Sequence, residues 1–231
     1  METRCASLII YLFCEGDTEL GYLQQLAKNR DVRIVLRKKV SAPVQLLKAA
    51  VLFAVEHAAD LRRQPTAEIW ACFDHDDKQR EISECADVLS ICPDGCPEKG
   101  CAHDISLCPS GDMIKRIHVA YMVPCIELWG LICTEEGSKL KNVPKDRHEL
   151  QRRLHDVMPR YDHGRKATFD VERMTKTDDA ISRARQWAST FGEFPECQNA
   201  TFYAGIAPLV EKIVNSIPPS ADGMNMWRRL P

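Results

Sequence analysis

The chain has 231 residues, 45% of them apolar and 28% charged, with a formal net charge of −2. That length allows one large domain or two small ones around a sizeable core. The composition excludes a global polyelectrolyte, and no stretch approaches the roughly 20 apolar residues that a membrane span needs.

Residues 7–13 (SLIIYLF) form a short, uncharged, mostly branched or aromatic run, the pattern of a buried strand. Cys14, Glu15 and Gly16 follow it. Gly16 permits a sharp turn, and Asp17 or Thr18 is suited to cap the amphipathic helix expected over 18–29. In an open α/β sheet, ligands bind at the carboxyl ends of the strands. Glu15 is therefore either a residue of a reactive rim or a solvated loop glutamate. The apolar start leads into EGDTE and not into a small-residue cleavage site, so no secretory signal is read. Eleven cysteines then imply reduced thiols, a cytoplasmic setting and room for a metal site.

A strand over 32–36 and a long, largely apolar helix over 42–63 come next. Residues 68–73 (EIWACF) read as a third strand, ending in Asp74, His75, Asp76 and Asp77. Side chains alternate along an extended chain, so Asp74 and Asp76 point the same way. Their repulsion is relieved by a hard divalent cation with oxygen ligands, such as Mg²⁺ or Mn²⁺. The competing reading is a polar turn that caps a helix over 78–89.

Residues 90–112 interrupt this alternation with Cys92, Cys96, Cys101, His103 and Cys108. The ligand types suit tetrahedral Zn²⁺, although the spacing is irregular. Free thiols and disulfides are the alternatives. A fourth strand over 117–123 leads through Pro124 into a short helix that ends near Cys133. Glu127, in its first turn, is a third acidic group at the rim, or a residue that merely favours the helix dipole.

Beyond residue 134 the character changes. Residues 139–176 hold eleven Lys or Arg against six Asp or Glu, and residues 28–39 hold six against one. Asymmetry of this kind suggests a polyanionic partner. A helix is expected to begin at 146 or 147 and run to 158. An irregular basic segment over 159–177 carries Tyr161, Arg165 and Lys166. Asp178 is suited to cap the next helix, which Gly192 stops, and a last helix starts near Gly205. The expected organisation is an α/β core over 1–134, with 90–112 as a cysteine-rich insertion, and a basic helical region over 135–231 packed on it.

Three pieces stand in order: CEGDTE at 14–19, FDHDD at 73–77 and VPCIELW at 123–129. Together with Tyr161, Lys166 and the Asn199-Ala200-Thr201 run, they resemble the RloB-like branch of the TOPRIM superfamily, which is related to the overcoming-lysogenization-defect nucleases. The resemblance implies a Rossmann-like α/β fold with a mostly parallel sheet and an Mg²⁺-dependent phosphodiester active site. In it, Glu15, Asp74, Asp76 and Glu127 match the acidic residues. Val123 and Ile126 depart from the family's usual Asn and Phe. The implied context is a nuclease of phage defence.

On that basis Asp74, Asp76 and Glu127 would hold one or two Mg²⁺, with Glu15 a further ligand or a general base. Arg165 and Lys166 would contact phosphate, and Tyr161 would lie with them on the nucleic acid. RNA, including tRNA, is slightly favoured over DNA because no duplex clamp is evident. A partner ATPase or an activating signal fits a restrained toxic nuclease, and self-association stays open. The rival readings are a non-catalytic nucleotide- or metal-binding regulatory module and an adaptor that docks on a partner ATPase.

Overall fold

The computed structural model describes residues 8–28, 30–75, 79–89, 110–140, 142–161, 169–200 and 202–216. Among them, one sheet of five strands organises the chain: β1 (Leu8–Cys14), β2 (Val32–Lys39), β3 (Ala67–Asp74), β4 (Ile117–Val123) and β5 (Tyr203–Ala204). The spatial order is β2-β1-β3-β4-β5. The first four strands run parallel, and β5 is antiparallel to β4. The fold is α/β and Rossmann-like. The helices are α1 (Asp17–Ala27), α2 (Pro43–Glu56), α3 (Ala58–Arg63), α4 (Gln79–Val88), α5 (Gly111–Ile114), α6 (Glu127–Ile132), α7 (Glu135–Lys139), α8 (Arg147–Val157), α9 (Thr177–Phe191) and α10 (Ala207–Asn215).

A parallel sheet must be covered on both faces, and alternation along its strands shows how. Ile10, Leu12, Cys14, Trp70 and Cys72 face one core with side chains of α1, α6, α8, α9 and α10. Phe13, Ile69, Ala71 and Phe73 face the other, against α2, α3, α4 and α5. Because β1 and β3 are neighbours in register, with Cys14 opposite Cys72, they end at the same rim. The Val123–Pro124 bond at the end of β4 is cis.

Several boundaries differ from the sequence expectation. The helix expected over 42–63 is broken at His57 into α2 and α3. β2 runs on to Lys39, because its last residues pair with β1 on one side while their side chains stay exposed and give no burial signal. β5 is only two residues long and comes from the region expected to be helical, so the sheet itself recruits chain from beyond residue 134. The loop expected over 135–146 contains α7, capped by Thr134, whose hydroxyl oxygen accepts from the Gly137 amide. Gly192 ends α9 at φ +81°, a conformation that favours glycine. The residues of the cysteine-rich insertion named above lie outside the described residues.

One buried hydrogen bond ties the helix after β1 to the helix after β4. The indole Nε1 of Trp129 donates to the hydroxyl of Tyr22 at 2.8 Å, and both side chains are wholly buried. Removing the hydroxyl leaves a buried indole N–H without an acceptor, which costs about 1–3 kcal/mol. Tyr22→Phe is therefore expected to lower the unfolding free energy by that amount in chemical denaturation, and an unchanged midpoint would contradict this coupling.

Candidate acidic active site

β1 delivers Glu15 to the carboxyl rim, and β3 delivers Asp74 beside it. The Glu15 Oε2 accepts the backbone N–H of Asp74 at 3.1 Å. That bond spans 59 residues of sequence and joins two of the three rim positions read from the sequence. Asp74 is 6% exposed. Asp76, the other member of the DxD pair, lies outside the described residues, as do Arg165 and Lys166.

Glu127 opens α6 and is completely buried. Its Oε1 accepts from the Tyr161 hydroxyl at 2.5 Å and from Nε2 of Gln151, on α8, at 3.1 Å. The Tyr161 ring, read as a nucleic-acid contact, is 5% exposed, and its hydroxyl is turned inward to the carboxylate. Burial, and then the charge of Glu127, push the Tyr161 hydroxyl well above its ordinary range, so it stays protonated and donates.

The sequence reading passed over Glu19. It sits in the first turn of α1, is 4% exposed, and reaches back to the Gly16 backbone as the third helical residue of a capping box does. Gly16 caps this helix itself, with an ordinary extended backbone at φ −125°. A Cβ there would lie 2.9 Å from the Glu19 Oε2, the far end of a flexible side chain. Among the described residues that Oε2 has no hydrogen-bond partner. Burial, with the nearby charges of Glu15 and Glu127, pushes the Glu19 carboxyl up to about 7.

Shared electrostatics place the four carboxylates in one neighbourhood. Glu19 feels Glu15 and Glu127, while the Cys125 thiol, raised mainly by burial, feels Glu127 and Asp74. Burial and then Glu19 push the Cys14 thiol up to about 12. Both cysteines are therefore neutral thiols in the metal-free protein. The available donors are carboxylate oxygens, the set that a hard divalent cation takes. Among the described residues, no three His, Cys, Asp or Glu side chains form a ready cage. The cluster fits such an ion in donor chemistry and in its uncompensated Glu19 oxygen.

A carboxyl whose folded pKa exceeds its unfolded value favours folding at low pH, and that contribution is lost as pH rises through the folded value. For Glu19 the window runs from about 4.5 to about 7. In chelator-treated protein, Glu19→Gln is expected to be stabilising at pH 8 by on the order of 2 kcal/mol and near neutral at pH 4. A pH-independent difference between the two melting curves would contradict the assigned crowding.

Among the described residues, no helix is long and apolar enough to cross a membrane. No curated protein and no solved structure matches the chain. A family model described as RloB-like protein matches residues 10–213, and the three acidic segments at the rim all fall inside that span. The chain belongs to the RloB-like protein family.

Proposed function

We propose that the chain is a metal-dependent phosphodiesterase acting on nucleic acid, with Mg²⁺ or Mn²⁺ as its ion. The observation that carries this reading is the 3.1 Å contact between the Glu15 carboxylate and the Asp74 amide, with Glu19 and Glu127 buried alongside. Several carboxylates gathered where a Rossmann-like sheet binds ligands are unfavourable unless protons or a cation neutralise them. Glu15, Asp74 and Asp76 would hold the ion, with Glu127 completing the set.

The bound ion would supply charge stabilisation at the phosphate and at the leaving oxygen. The remaining work falls to the chain. Tyr161 and Gln151 fix the carboxylate of Glu127. Glu19, buried beside Glu15 and Glu127, would take the proton of the attacking water. The water oxygen bonds to phosphorus, the ester P–O bond breaks, and the leaving oxygen takes a proton from solvent. Arg165 and Lys166 would contact phosphate, which gives affinity without sequence choice.

The same proposal extends to the biological setting: RNA ahead of DNA, a role in phage defence, and restraint by a partner ATPase or an activating signal. It also includes Zn²⁺ held by Cys92, Cys96, Cys101 and Cys108 or His103. Elemental analysis of purified protein is expected to find about one zinc per chain, and none would remove that part alone.

Glu15→Gln is expected to reduce Mg²⁺-dependent cleavage of mixed RNA and DNA substrates by on the order of 10²–10³ or more. The melting temperature of that variant should be no lower than that of the wild type, because a crowded negative charge has been removed. Retained cleavage in Glu15→Gln would overturn the assignment, and so would wild-type protein that binds nucleic acid but never yields product.

A further inference from the structure

The basic run over 28–39 falls on β2 and the turn before it, and its cations divide by role. Arg30 is structural: its guanidinium donates to the carbonyls of Leu26 and Val214. The last three residues of β2 are different. Arg37, Lys38 and Lys39 are consecutive and exposed, and they stand at the carboxyl end of the strand. There β2 lies against the end of β1, with Lys38 opposite Phe13 and Lys39 opposite Cys14, the residue before Glu15. The basic end of β2 and the acidic rim are therefore adjacent stretches of one sheet edge.

A bulge shapes this end. The register steps from Leu12 opposite Leu36 to Phe13 opposite Lys38, so Arg37 is the extra residue. Its guanidinium lies over Phe53 at 4.6 Å and over Tyr11 at 5.9 Å, on the α2 face of the sheet. Lys39 sits on the opposite face, where it donates to Asp17 of α1 at 2.9 Å and keeps 43% of its side chain exposed. Lys38 is exposed and makes no ion pair or side-chain hydrogen bond among the described residues. The three cations thus straddle the strand end on both faces.

Charge on an edge strand is a common guard against unwanted strand pairing. A bulge already spoils this edge for pairing, and three cations in succession at one end exceed that need. The acidic rim supplies the other half of the argument. A cluster of carboxylates repels a polyanion, so a nucleic acid must be drawn in by cations flanking the cluster.

The geometry points to the carboxyl end of β2, with Lys38 at its centre and Arg37 and Lys39 on either side, as a binding track for the phosphodiester backbone of a nucleic acid that leads to the acidic rim. This inference rests on the nuclease reading and adds a substrate-binding surface to it. The track recognises phosphate, which RNA and DNA share, so the test carries probes of both kinds.

Equilibrium binding is measured by fluorescence anisotropy at rising potassium chloride. The probes are labelled single-stranded RNA, single-stranded DNA and duplex DNA. All proteins carry Glu15→Gln so that the probes survive. The variants are Lys38→Glu, Arg37→Ala with Lys38→Glu, and Arg63→Glu. The last makes the same charge change at the end of α3, which leads into the opposite end of the sheet. Circular dichroism confirms that each is folded. Lys38→Glu is expected to weaken binding about tenfold at low salt and to reduce the slope of log affinity on log salt by roughly 0.7 for a single strand or 0.9 for a duplex. The double variant should weaken it further, and Arg63→Glu should change neither quantity. If the protein binds nucleic acid and the two β2 variants bind as tightly, or if Arg63→Glu weakens binding equally, the track is overturned and the nuclease reading survives. If no probe binds even without the β2 changes, both are overturned.

Discussion

Carboxylates repel one another, and the repulsion grows as water is removed. Glu127 is wholly buried, and Glu19 and Asp74 nearly so, while Glu15 reaches across to the Asp74 amide. A protein gains nothing structural from such an arrangement, since replacing buried charges by apolar groups often stabilises a fold. The crowding is visible in the Glu19 carboxyl, held up near 7 by burial and by its neighbours. A cluster of this kind at the carboxyl rim of a Rossmann-like sheet is unfavourable unless protons or a cation neutralise it.

The fold meets this electrostatic cost through its longest-range contacts. β1 and β3 are paired in register and present Glu15 and Asp74 side by side. α6 carries Glu127, and its position is fixed twice: by the Trp129–Tyr22 bond to α1, and by Gln151 and Tyr161, which donate to its carboxylate. The C-terminal region is thus part of the site as well as of the sheet, to which it adds β5. On the other flank β2 ends in cations beside the same rim, so a positive stretch adjoins the negative one along one edge.

What the sequence disclosed follows from how local each signal was. The strand at 7–13 and the EIWACF run were legible because burial of a parallel strand writes itself as an uninterrupted apolar run. Glu15 and Asp74 were legible because a strand's end is visible in the same pattern. Glu127 was read from its place after the fourth strand. Glu19 escaped because a glutamate in a first helical turn has an ordinary capping use, and only its burial against Glu15 and Glu127 distinguishes it. The spacing from Gly16 to Glu19, a capping box with glycine at its head, was the available hint. Gln151 and the inward turn of Tyr161 depend on how α8 docks against α6, which no local pattern encodes. The two-residue β5 and the polar end of β2 were missed because neither carries a burial period. Resemblance to the RloB-like family named the fold correctly, and Tyr161, read as a nucleic-acid contact, donates a buried hydrogen bond to Glu127.

The central claim is that these carboxylates share one divalent cation. Crystals grown with Mn²⁺ and measured at the manganese absorption edge test it directly. The account predicts one strong anomalous peak within about 2.0–2.6 Å of carboxylate oxygens of both Glu15 and Asp74. An ordered rim with no peak there, or manganese bound only elsewhere, would contradict it.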